Sequence, residues 1–493
     1  MQLGFRVGGG GNGVGLGHIM RCIAIAEAFR EKNIDSTFVC SNYPAVIPLI
    51  KMHGFAVDVL PLNTSPDTDL QHTLQLLHDA DIIIADDYGF PSSYLKGLSQ
   101  NGQFIACLDD KMDRHLAVDV VIGNAYATHE DYHEKISHHA LLLSGPKYLP
   151  LRTEYRNVIP REVKDKITRV LITCGGEDCL NVTQKVLDAL QDEREIVLVV
   201  LVGGAYPFYN ELKTRLETSG LKFELHRNVE NVMPIQQNVD VAITAAGTTV
   251  WELSAVGTPM VVIQTADNQS GTVEYIQKNQ MGIVLGDHTN VEGKAIRSAL
   301  HRLRDKKLRE QLSKKCQSLI SGNGSEHVCE ALLNQYDKEK VTLRRVEDKN
   351  PDNSDSKQLW EWRNDPVTRE MSRNSEWIPW ELHRDWYVKT MQDPNEVLLF
   401  ADYHGKQMGT VRFDVEKKHS AEVSININPE MRGNGLGRKL LGAACRYGFH
   451  KLGLKEIDAE IKEKNVASIH IFESVGFQFI EKCDGIRKYV KKI

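Results

Sequence analysis

The sequence predicts an α/β protein with two Rossmann-like domains, followed by a smaller α+β domain. Short, almost continuously apolar runs alternate with amphipathic stretches up to residue 336, which is typical of parallel sheets covered on both faces. Glycine-rich turns follow apolar runs at Gly8 and Gly175. After residue 338 the strands follow one another more closely, which indicates a separate domain.

Length and composition limit the classes of protein to consider. A chain of 493 residues is too long for one ordinary core and fits two or three domains. Its 60 Lys and Arg residues are matched by 66 Asp and Glu residues without a dense basic stripe, so we expect no nucleic-acid partner. The sequence has no long apolar run and no apolar signal core, so we expect a cytoplasmic protein without membrane contact. The nine cysteines lack zinc-ligand spacing, and we expect no metal.

The first domain is predicted to span residues 1–150. Strand Leu3–Val7 leads into a glycine-rich loop and a helix over Ile19–Lys32, with Gly17 and His18 at the helix start. Such a unit suits a phosphate group, because backbone amides approach the anion and the helix N-terminus adds partial positive charge. The other predicted strands are Ser36–Cys40, Ile82–Ala85, Phe104–Leu108, Val118–Ile122 and Leu141–Leu143.

His18 is the candidate catalytic residue of this unit. At a helix N-terminus the macrodipole disfavours the imidazolium form, so a neutral ring is expected at pH 7. A neutral imidazole beside a phosphate site can act as a general base towards water. A nucleotide diphosphate is a good leaving group that amides and helix ends can stabilise. The alternative is a histidine that only hydrogen-bonds a phosphate.

The second domain, residues 151–336, repeats this organisation. Strand Val170–Thr173 ends in Cys174-Gly175-Gly176, and strand Val239–Thr244 is followed by Gly247 and a helix starting near Thr248. Amides and hydroxyls at that helix start suit a diphosphate. Glu252, one turn inside, is placed to accept hydrogen bonds from ribose hydroxyls, or else is a solvated glutamate. The other predicted elements are strands Ile196–Val202, Phe223–Leu225, Met260–Ile263 and Ile283–Leu285, and helices Val182–Gln191, Lys294–Arg304, Leu308–Leu319 and Glu326–Tyr336.

The third domain is predicted over residues 338–493. Its central feature is Arg432-Gly433-Asn434-Gly435-Leu436-Gly437, which opens a helix and whose amides would surround a pyrophosphate. The other predicted elements are strands Val341–Val346, Val397–Tyr403, Gln407–Val415, Glu422–Ile427 and Glu456–Ile461, a Trp-rich helix at Leu359–Arg363 and a helix over Ala467–Val475.

Motifs in the first two domains resemble the UDP-sugar hydrolase family of pseudaminic acid biosynthesis. These motifs are Gly15–Cys22, Asp86–Gly89, Leu108–Asp110, Asn124–Ala127, Cys174–Gly176, Gly247–Glu252 and Asp267–Gln269. The resemblance implies a two-domain glycosyltransferase-B (GT-B) fold related to lipid II glycosyltransferases. It implies hydrolysis of UDP-2,4-diacetamido-2,4,6-trideoxy-β-L-altrose at the anomeric carbon, with inversion and without metal. The chain departs from the family at Arg6-Val7-Gly8-Gly9, where an acid is usual.

The same resemblance assigns residues to this site. His18 is expected to be the general base, with Tyr88 near the sugar. The residues expected to bind the UDP-sugar are Gly17, Tyr88, Asn124, Gly175, Gly176, Gly247, Thr248, Thr249, Glu252, Asn268 and Gln269.

The third domain resembles the GNAT acetyltransferases. Arg432–Gly437 fits their acetyl-CoA pyrophosphate loop, and Asn465–Ser468 and Glu473–Phe477 follow at the family's spacing. The resemblance implies acetyl-CoA as cosubstrate. The backbone at Ile425–Ile427 is expected to hold the thioester where the next strand separates. The residues expected to bind acetyl-CoA are Ile425, Ile427, Arg432, Gly433, Asn434, Gly435, Gly437 and Asn465.

A narrower resemblance is to the amino-sugar N-acetyltransferase of the same pathway. It rests on Trp362–Asp365, Arg369, His383 and Trp386. That family acetylates the 4-amine of UDP-4-amino-4,6-dideoxy-N-acetyl-β-L-altrosamine. Phe472 stands where a thiolate-protonating tyrosine is usual, so the acid and base remain open among Tyr489, Tyr447 and Glu422.

The predicted function is therefore a bifunctional enzyme of pseudaminic acid biosynthesis, with a UDP-amino sugar and acetyl-CoA as small-molecule partners. Two alternatives stay open. The GT-B unit could transfer a sugar to an acceptor other than water, and the GNAT domain could acetylate proteins or sense acetyl-CoA. The sequence does not determine the oligomeric state.

Overall fold

The computed structural model describes residues 1–8, 17–43, 46–62, 64–137 and 140–492, without the side chains of Asn101 and Glu416. The predicted glycine-rich loop at residues 9–16 therefore lies outside the described residues. The described strands form three sheets, of seven, six and seven strands. No helix in the described ranges is both long and apolar enough to cross a membrane.

The first sheet is parallel, in the order β3-β2-β1-β4-β5-β6-β7. Its strands are β1 Leu3–Val7, β2 Ser36–Ser41, β3 Ala56–Leu60, β4 Ile82–Asp86, β5 Phe104–Leu108, β6 Val120–Ile122 and β7 Leu141–Leu143. The helices are α1 Gly17–Arg30, α2 Val46–Met52, α3 Pro66–Leu76 and α4 Ser92–Leu98. Strands β2 and β3 are added on one side of β1, whereas β4 to β7 are added on its other side. The point between β1 and β4 where the strand order changes direction opens a crevice at the carboxyl ends of the strands.

The second sheet is also parallel, in the order β10-β9-β8-β11-β12-β13. Its strands are β8 Arg169–Thr173, β9 Val197–Val202, β10 Lys222–Arg227, β11 Val241–Ala245, β12 Met260–Gln264 and β13 Ile283–Asp287. The helices are α5 Val182–Ala189, α6 Tyr209–Thr218, α7 Met233–Gln237, α8 Thr249–Val256, α9 Ser270–Lys278, α10 Gly293–Arg302, α11 Lys306–Leu319 and α12 Gly324–Glu339. Helix α12 returns to the first unit, where Val328, Cys329 and Leu332 share a core with Ile19.

The third sheet is mixed, in the order β14-β15-β16-β17-β18-β20-β19. Its strands are β14 Thr342–Arg345, β15 Glu396–Tyr403, β16 Lys406–Lys417, β17 Ser420–Ile427, β18 Glu456–Lys462, β19 Gln478–Cys483 and β20 Ile486–Lys492. The helices are α13 Ser354–Asn364, α14 Pro366–Met371, α15 Trp380–Gln392, α16 Leu436–His450 and α17 Val466–Ser474. The parallel pair β17–β18 is in register only from Ser420 to Glu422, so the two strands separate beyond Glu422.

The third unit packs directly on the first through α16. Arg438 donates a hydrogen bond to Ser99 Oγ at 2.7 Å, and Arg446 donates to the carbonyl of Gly102. A Cβ on Gly102 would lie 2.7 Å from the Cα of Gly442, so a glycine is needed for this close approach. Helix α16, which follows the predicted pyrophosphate loop, is thus fixed against the unit that carries His18.

The structure confirms the predicted fold class, while some elements differ. Strand β3 and the final hairpin β19–β20 are absent from the sequence prediction. Strand β19 is exposed along its whole length, and β3 is buried only at Leu60. Edge strands of this kind are held by backbone pairing with a neighbour, so they lack the apolar run that marks a central strand. The domain boundaries at 150, 336 and 338 stay predictions.

Candidate functional site

His18 lies in the first turn of α1, next to the carboxyl end of β4. Its Nδ1 is 2.5 Å from Oδ1 of Asp86, the last residue of β4. Both residues are buried, with Asp86 fully enclosed and His18 8% exposed. Asp86 pairs with Val7, so the ends of β1 and β4 together place this carboxylate under the helix start. The arrangement leaves Nε2 as the ring nitrogen not engaged by Asp86.

Arg21, one turn further along α1, connects His18 to a second carboxylate. Its guanidinium contacts both oxygens of Asp86 at 2.6 Å and Oδ2 of Asp110 at 2.6 Å. The hydroxyl of Tyr88 donates to the same Asp110 oxygen at 2.8 Å, and the Tyr88 ring meets the His18 ring edge-on at 4.4 Å. We call these five residues the His18 cluster.

Charges within the His18 cluster determine the ionisation state of the Asp86 carboxyl group. Burial is the largest influence and would raise its pKa, but the charges of Arg21 and His18 and their hydrogen bonds lower it to about 2. Asp86 is therefore a carboxylate at neutral pH, able to orient the imidazole and to stabilise an imidazolium. Burial and the Asp110 charge raise the pKa of Tyr88, so its hydroxyl remains a donor.

The low pKa of Asp86 predicts an acid-sensitive contribution to stability. The pKa falls from 3.8 to about 2 on folding, so the contribution is complete above the unfolded value and is lost as the pH falls through the folded one. It amounts to about 2 kcal/mol. We expect the free energy of unfolding of Asp86→Asn, measured with urea, to decline less steeply than that of the parent between pH 4 and 2. Equal declines would contradict this assignment.

The second half of the site is the loop before α8. Thr248 is the N-cap of α8, and a Cβ on Gly247 would meet no atom of the described residues within 4 Å. The same open space surrounds Gly175 and Gly176, and Gly175 has a positive φ of 103° that favours glycine. The turn after β8 and the loop after β11 thus leave room at neighbouring strand ends.

The two halves meet at these helix starts. A Cβ built on Gly17 would lie 3.6 Å from Cγ2 of Thr248. The N-termini of α1 and α8 therefore face each other across the cleft, and both contribute partial positive charge to the same space. This contact brings Gly17 and His18 of the first half beside Gly247–Thr249 of the second.

Glu252 is already engaged by two side chains. Its Oε1 accepts from Arg152 at 2.9 Å and its Oε2 accepts from Gln236 at 3.2 Å. Each carboxylate oxygen has two lone pairs, so a further hydrogen bond from a ribose hydroxyl is compatible with these contacts. Its role in nucleotide binding stays a prediction.

Asn124 shapes the wall of the cleft. Its Oδ1 accepts from the amides of Tyr126 and Ala127 at 3.1 and 2.8 Å, which holds the turn after β6. The ring of Tyr126 covers Gly271 so closely that a Cβ there would lie 2.4 Å away. Asn124 is therefore tied to the contact between the two halves, and its expected contact with the UDP-sugar stays untested.

Asn268 and Gln269 form a 3₁₀ turn before α9. The Gln269 side chain accepts from the Thr265 amide at 2.8 Å, whereas Asn268 is exposed. The turn starts three residues after β12, on the side of the sheet where β11 leads into Gly247. Their expected contacts with sugar and phosphates stay predictions.

The predicted pyrophosphate loop of the third unit has the required backbone. Gly433 and Gly435 have φ of 81° and 70°, and a Cβ on either would meet nothing within 4 Å in the part of the chain that the structure describes. Helix α16 begins directly after them at Leu436. The amides at this helix start therefore border open space that an anion can occupy.

Other expected acetyl-CoA contacts have structural partners of their own. Arg432 binds Oδ2 of Asp365 and Oγ1 of Thr368, both at 2.6 Å, which ties the loop to α14. Asn465 caps α17 by accepting from the Ser468 amide at 3.1 Å. Among the remaining residues, Asn434 donates from Nδ2 to the Met431 carbonyl, and Gly437 packs against Ile471. Ile425 and Ile427 lie on the part of β17 that no longer pairs with β18.

The open acid and base candidates differ in their surroundings. Tyr489 is fully buried and donates to Oε1 of Glu473 at 3.0 Å, whereas Tyr447 is half-buried on α16. Glu422 is the last residue of β17 that pairs with β18. Burial raises its pKa, although its contact with Arg373 acts in the opposite direction. Phe472 packs against Phe477 in the core, which accounts for an apolar residue at that position.

Gly435 gives a direct test of the pyrophosphate loop. Gly435→Ala and Gly453→Ala each cost about 1 kcal/mol of backbone strain, because both positions have a positive φ and open surroundings. Only the methyl group added at Gly435 enters the loop. The KM of Gly435→Ala for acetyl-CoA is therefore expected to rise about tenfold, which corresponds to the loss of one hydrogen bond to a charged group. Steady-state thiol release measures this. Equal KM values in the two variants would exclude the loop from acetyl-CoA binding.

The sequence motifs alone assign no role to Asp86, Arg21 or Asp110. A signal was present, since Asp86 ends the apolar strand β4 and Asp110 lies two residues after the end of β5, and the carboxyl ends of such strands line the crevice of the sheet. Which carboxylate meets His18, however, depends on the strand order. Within the described residues, His, Cys, Asp and Glu side chains form no group of three or more suited to hold a metal ion.

Comparisons with known proteins support two distinct parts. Residues 169–328 match the Glycosyltransferase family 28 C-terminal domain, and residues 356–477 match the Acetyltransferase (GNAT) family. The chain is 24% identical over 494 residues to the uncharacterized protein MJ1062 of Methanocaldococcus jannaschii, covering 95% of both chains. It is 22% identical over 346 residues to the spore coat polysaccharide biosynthesis protein SpsG of Bacillus subtilis, covering 67% of this chain and 97% of SpsG.

The fold of the first two units is similar to a solved structure. The crystal structure of Acinetobacter baumannii MurG matches with a TM-score of 0.51 and 12% sequence identity, covering 68% of this chain and all of MurG. The chain thus joins a GT-B unit with a family 28 C-terminal domain to a GNAT domain. The expectation of acetyl-CoA as cosubstrate is confirmed at the level of the GNAT family.

Proposed function

We propose that the chain is a bifunctional nucleotide-sugar enzyme of pseudaminic acid biosynthesis. The GNAT domain acetylates the 4-amine of UDP-4-amino-4,6-dideoxy-N-acetyl-β-L-altrosamine with acetyl-CoA. The GT-B unit then hydrolyses the resulting UDP-2,4-diacetamido-2,4,6-trideoxy-β-L-altrose to free sugar and UDP. The first reaction supplies the substrate of the second.

One observation carries the hydrolase proposal. His18 is held by the buried carboxylate of Asp86 at 2.5 Å, at a helix start that faces the Gly247–Thr249 loop across the cleft. This geometry combines an oriented base with two helix N-termini suited to a diphosphate. A histidine that served only to bind phosphate would not need a fully buried carboxylate behind it.

The geometry suggests the following proton path. His18 donates a hydrogen bond from Nδ1 to Asp86 and accepts a proton from water at Nε2. The water oxygen forms a bond to C1 of the sugar from the face opposite UDP, and the C1–oxygen bond breaks with its electron pair passing to the diphosphate. A single displacement inverts C1. Asp86 stabilises the imidazolium, and the amides at the start of α8 stabilise the leaving diphosphate.

Acetyl transfer depends mainly on positioning. The thioester is already activated, so the GNAT domain has to align it with a neutral amine. The edge of β17 that no longer pairs with β18 beyond Glu422 is suited to hold the pantetheine arm, with the pyrophosphate at Gly433–Gly437. The amine nitrogen then bonds to the acetyl carbon, and the carbon–sulfur bond breaks with its electron pair passing to sulfur. The nitrogen loses one proton, and the CoA thiolate takes up one proton to leave as the free thiol.

Mass spectrometry of products tests both steps. With the UDP-4-amino sugar and acetyl-CoA in ¹⁸O-water, we expect free CoA, UDP without the label, and a diacetamido sugar that carries ¹⁸O at C1. Without acetyl-CoA, release of UDP should be much slower. Label in UDP would contradict attack at C1, and release that requires an added sugar acceptor would favour a glycosyltransferase. Absence of CoA release would contradict the acetyltransferase assignment.

A further inference from the structure

Arg373 spans the gap between two separating strands of the third sheet. It lies in the segment between α14 and α15, and its Nη2 is 2.7 Å from Oε1 of Glu422 and 2.6 Å from Oε2 of Glu460. Glu422 belongs to the last pair between β17 and β18, with Asp458 as its partner, and Glu460 lies two residues beyond Asp458. One guanidinium thus holds a carboxylate on each strand where they separate.

This gap is where acetyl transfer takes place under the proposed function. The backbone of β17 that no longer pairs with β18 begins directly after Glu422, so the thioester and the two carboxylates are neighbours. An acceptor amine must therefore approach Glu422 and Glu460. In its present position, Arg373 occupies the space that an ammonium group between these carboxylates would take.

A cavity of about 520 Å³ adjoins Arg373. Lys462, Lys464 and Arg373 line it together with Glu463 and Asp484. Its volume is in the range of small-molecule sites. Lys462 and Lys464 reach only the edge of α14, each 3.3 Å from an oxygen of Glu370. The cavity therefore presents three cations suited to an anionic group, together with two carboxylates, and Arg373 connects it to Glu422 and Glu460.

Charge decides which amines this surface accepts. If Arg373 were absent, the carboxylates of Glu422 and Glu460 would present two negative charges to an entering ligand. These two charges would attract a polycation. Arg373 offsets these charges, and its own positive charge repels a second ammonium group. Selectivity of this kind comes from interactions that disfavour the wrong ligand as well as from those that favour the right one.

We propose that Arg373 is a specificity-determining residue of the acetyl-acceptor site, which excludes polycationic amines and selects an acceptor with one amine and an anionic diphosphate. The inference rests on the proposed acetyltransferase function and names how its acceptor is chosen. Arg373 contacts the diphosphate side of the acceptor from the cavity, while its guanidinium keeps a further ammonium group out of the space between Glu422 and Glu460.

Arg373→Gln removes the charge while keeping a polar side chain. We expect the Kd for spermidine, measured by calorimetry, to fall about tenfold, the effect of releasing two partly exposed ion pairs. For the UDP-4-amino sugar we expect the KM to rise about tenfold while kcat changes by less than about twofold, since one charged contact is lost outside the reacting atoms.

Arg384→Gln is the matched control. Arg384 is a partly exposed arginine of the same domain that binds one carboxylate, Asp352, at 2.9 Å, and its loss should change neither value. The double variant Arg373→Gln/Glu460→Gln should lose most of the gained spermidine affinity. Equal spermidine affinity in the parent and Arg373→Gln would overturn the inference. If the parent releases no CoA with the amino sugar, the proposed function fails, while the binding comparison still decides the role of Arg373.

Discussion

Replacing His18 by alanine is expected to lower the rate of UDP release by about 10²–10⁴-fold, the usual contribution of a positioned general base. The imidazole is the group held by Asp86 at the cleft, so its removal leaves water without a base there. Release of CoA should stay at the parental rate, because acetyl transfer uses residues of the third unit. Coupled assays for UDP and for free thiol, run on the same preparation, measure both activities.

His53→Ala is the control for this variant. His53 also engages a carboxylate through Nδ1, with Glu27 Oε1 at 2.9 Å, but it lies outside the His18 cluster. It should retain both activities. Loss of both activities in folded His18→Ala protein would contradict the assignment of the two reactions to separate units. Unchanged UDP release in that variant would remove His18 as the base.

Asp86→Asn is expected to reduce kcat for UDP release by about 10²–10⁴-fold, with a smaller effect on KM. The amide keeps the shape of the carboxylate, but it no longer stabilises the imidazolium that forms when water is deprotonated. It can also present its NH₂ group to Nδ1, which favours the wrong tautomer of His18.

Asp69→Asn separates this effect from destabilisation. Asp69 is a buried carboxylate that binds Arg6 at 2.7 and 3.2 Å in the same unit, outside the His18 cluster. In both variants a buried arginine loses the negative charge that balanced its own. Each variant should lower the free energy of unfolding by at most about 3–5 kcal/mol. Per folded molecule, only Asp86→Asn should lose UDP release. A similar loss in Asp69→Asn would show that instability accounts for the result.

The Arg6–Asp69 pair also bears on the departure from the hydrolase family noted at the start of the chain. Arg6 points into the unit, where Asp69, Tyr94 and the Val7 carbonyl surround its guanidinium. Gly8 follows, and a Cβ there would lie 1.7 Å from Oδ2 of Asp87. The chain thus leaves β1 through a position where any side chain would displace Asp87.

Much of the fold was predictable because it depends on local patterns. Strands such as Leu3–Val7 and Phe104–Leu108 are continuous apolar runs, and the structure places them at those bounds. The start of α8 after Thr248 and its end at Gly257 follow from helix capping, since Gly257 adopts a φ of 72°. The edge strands β3 and β19 lack such patterns and become visible only through their pairing.

The candidate site divides in the same way. By itself, the sequence determined the two glycine loops at Gly175 and Gly433–Gly437, the histidine at a helix start and the order of α/β and α+β parts. Only the tertiary structure decided that Asp86, 68 residues from His18, is its partner and that Gly17 faces Thr248. It also decided that Arg373 joins Glu422 to Glu460. Backbone form and burial are encoded locally, whereas contacts between side chains depend on strand order and register, which no local pattern specifies.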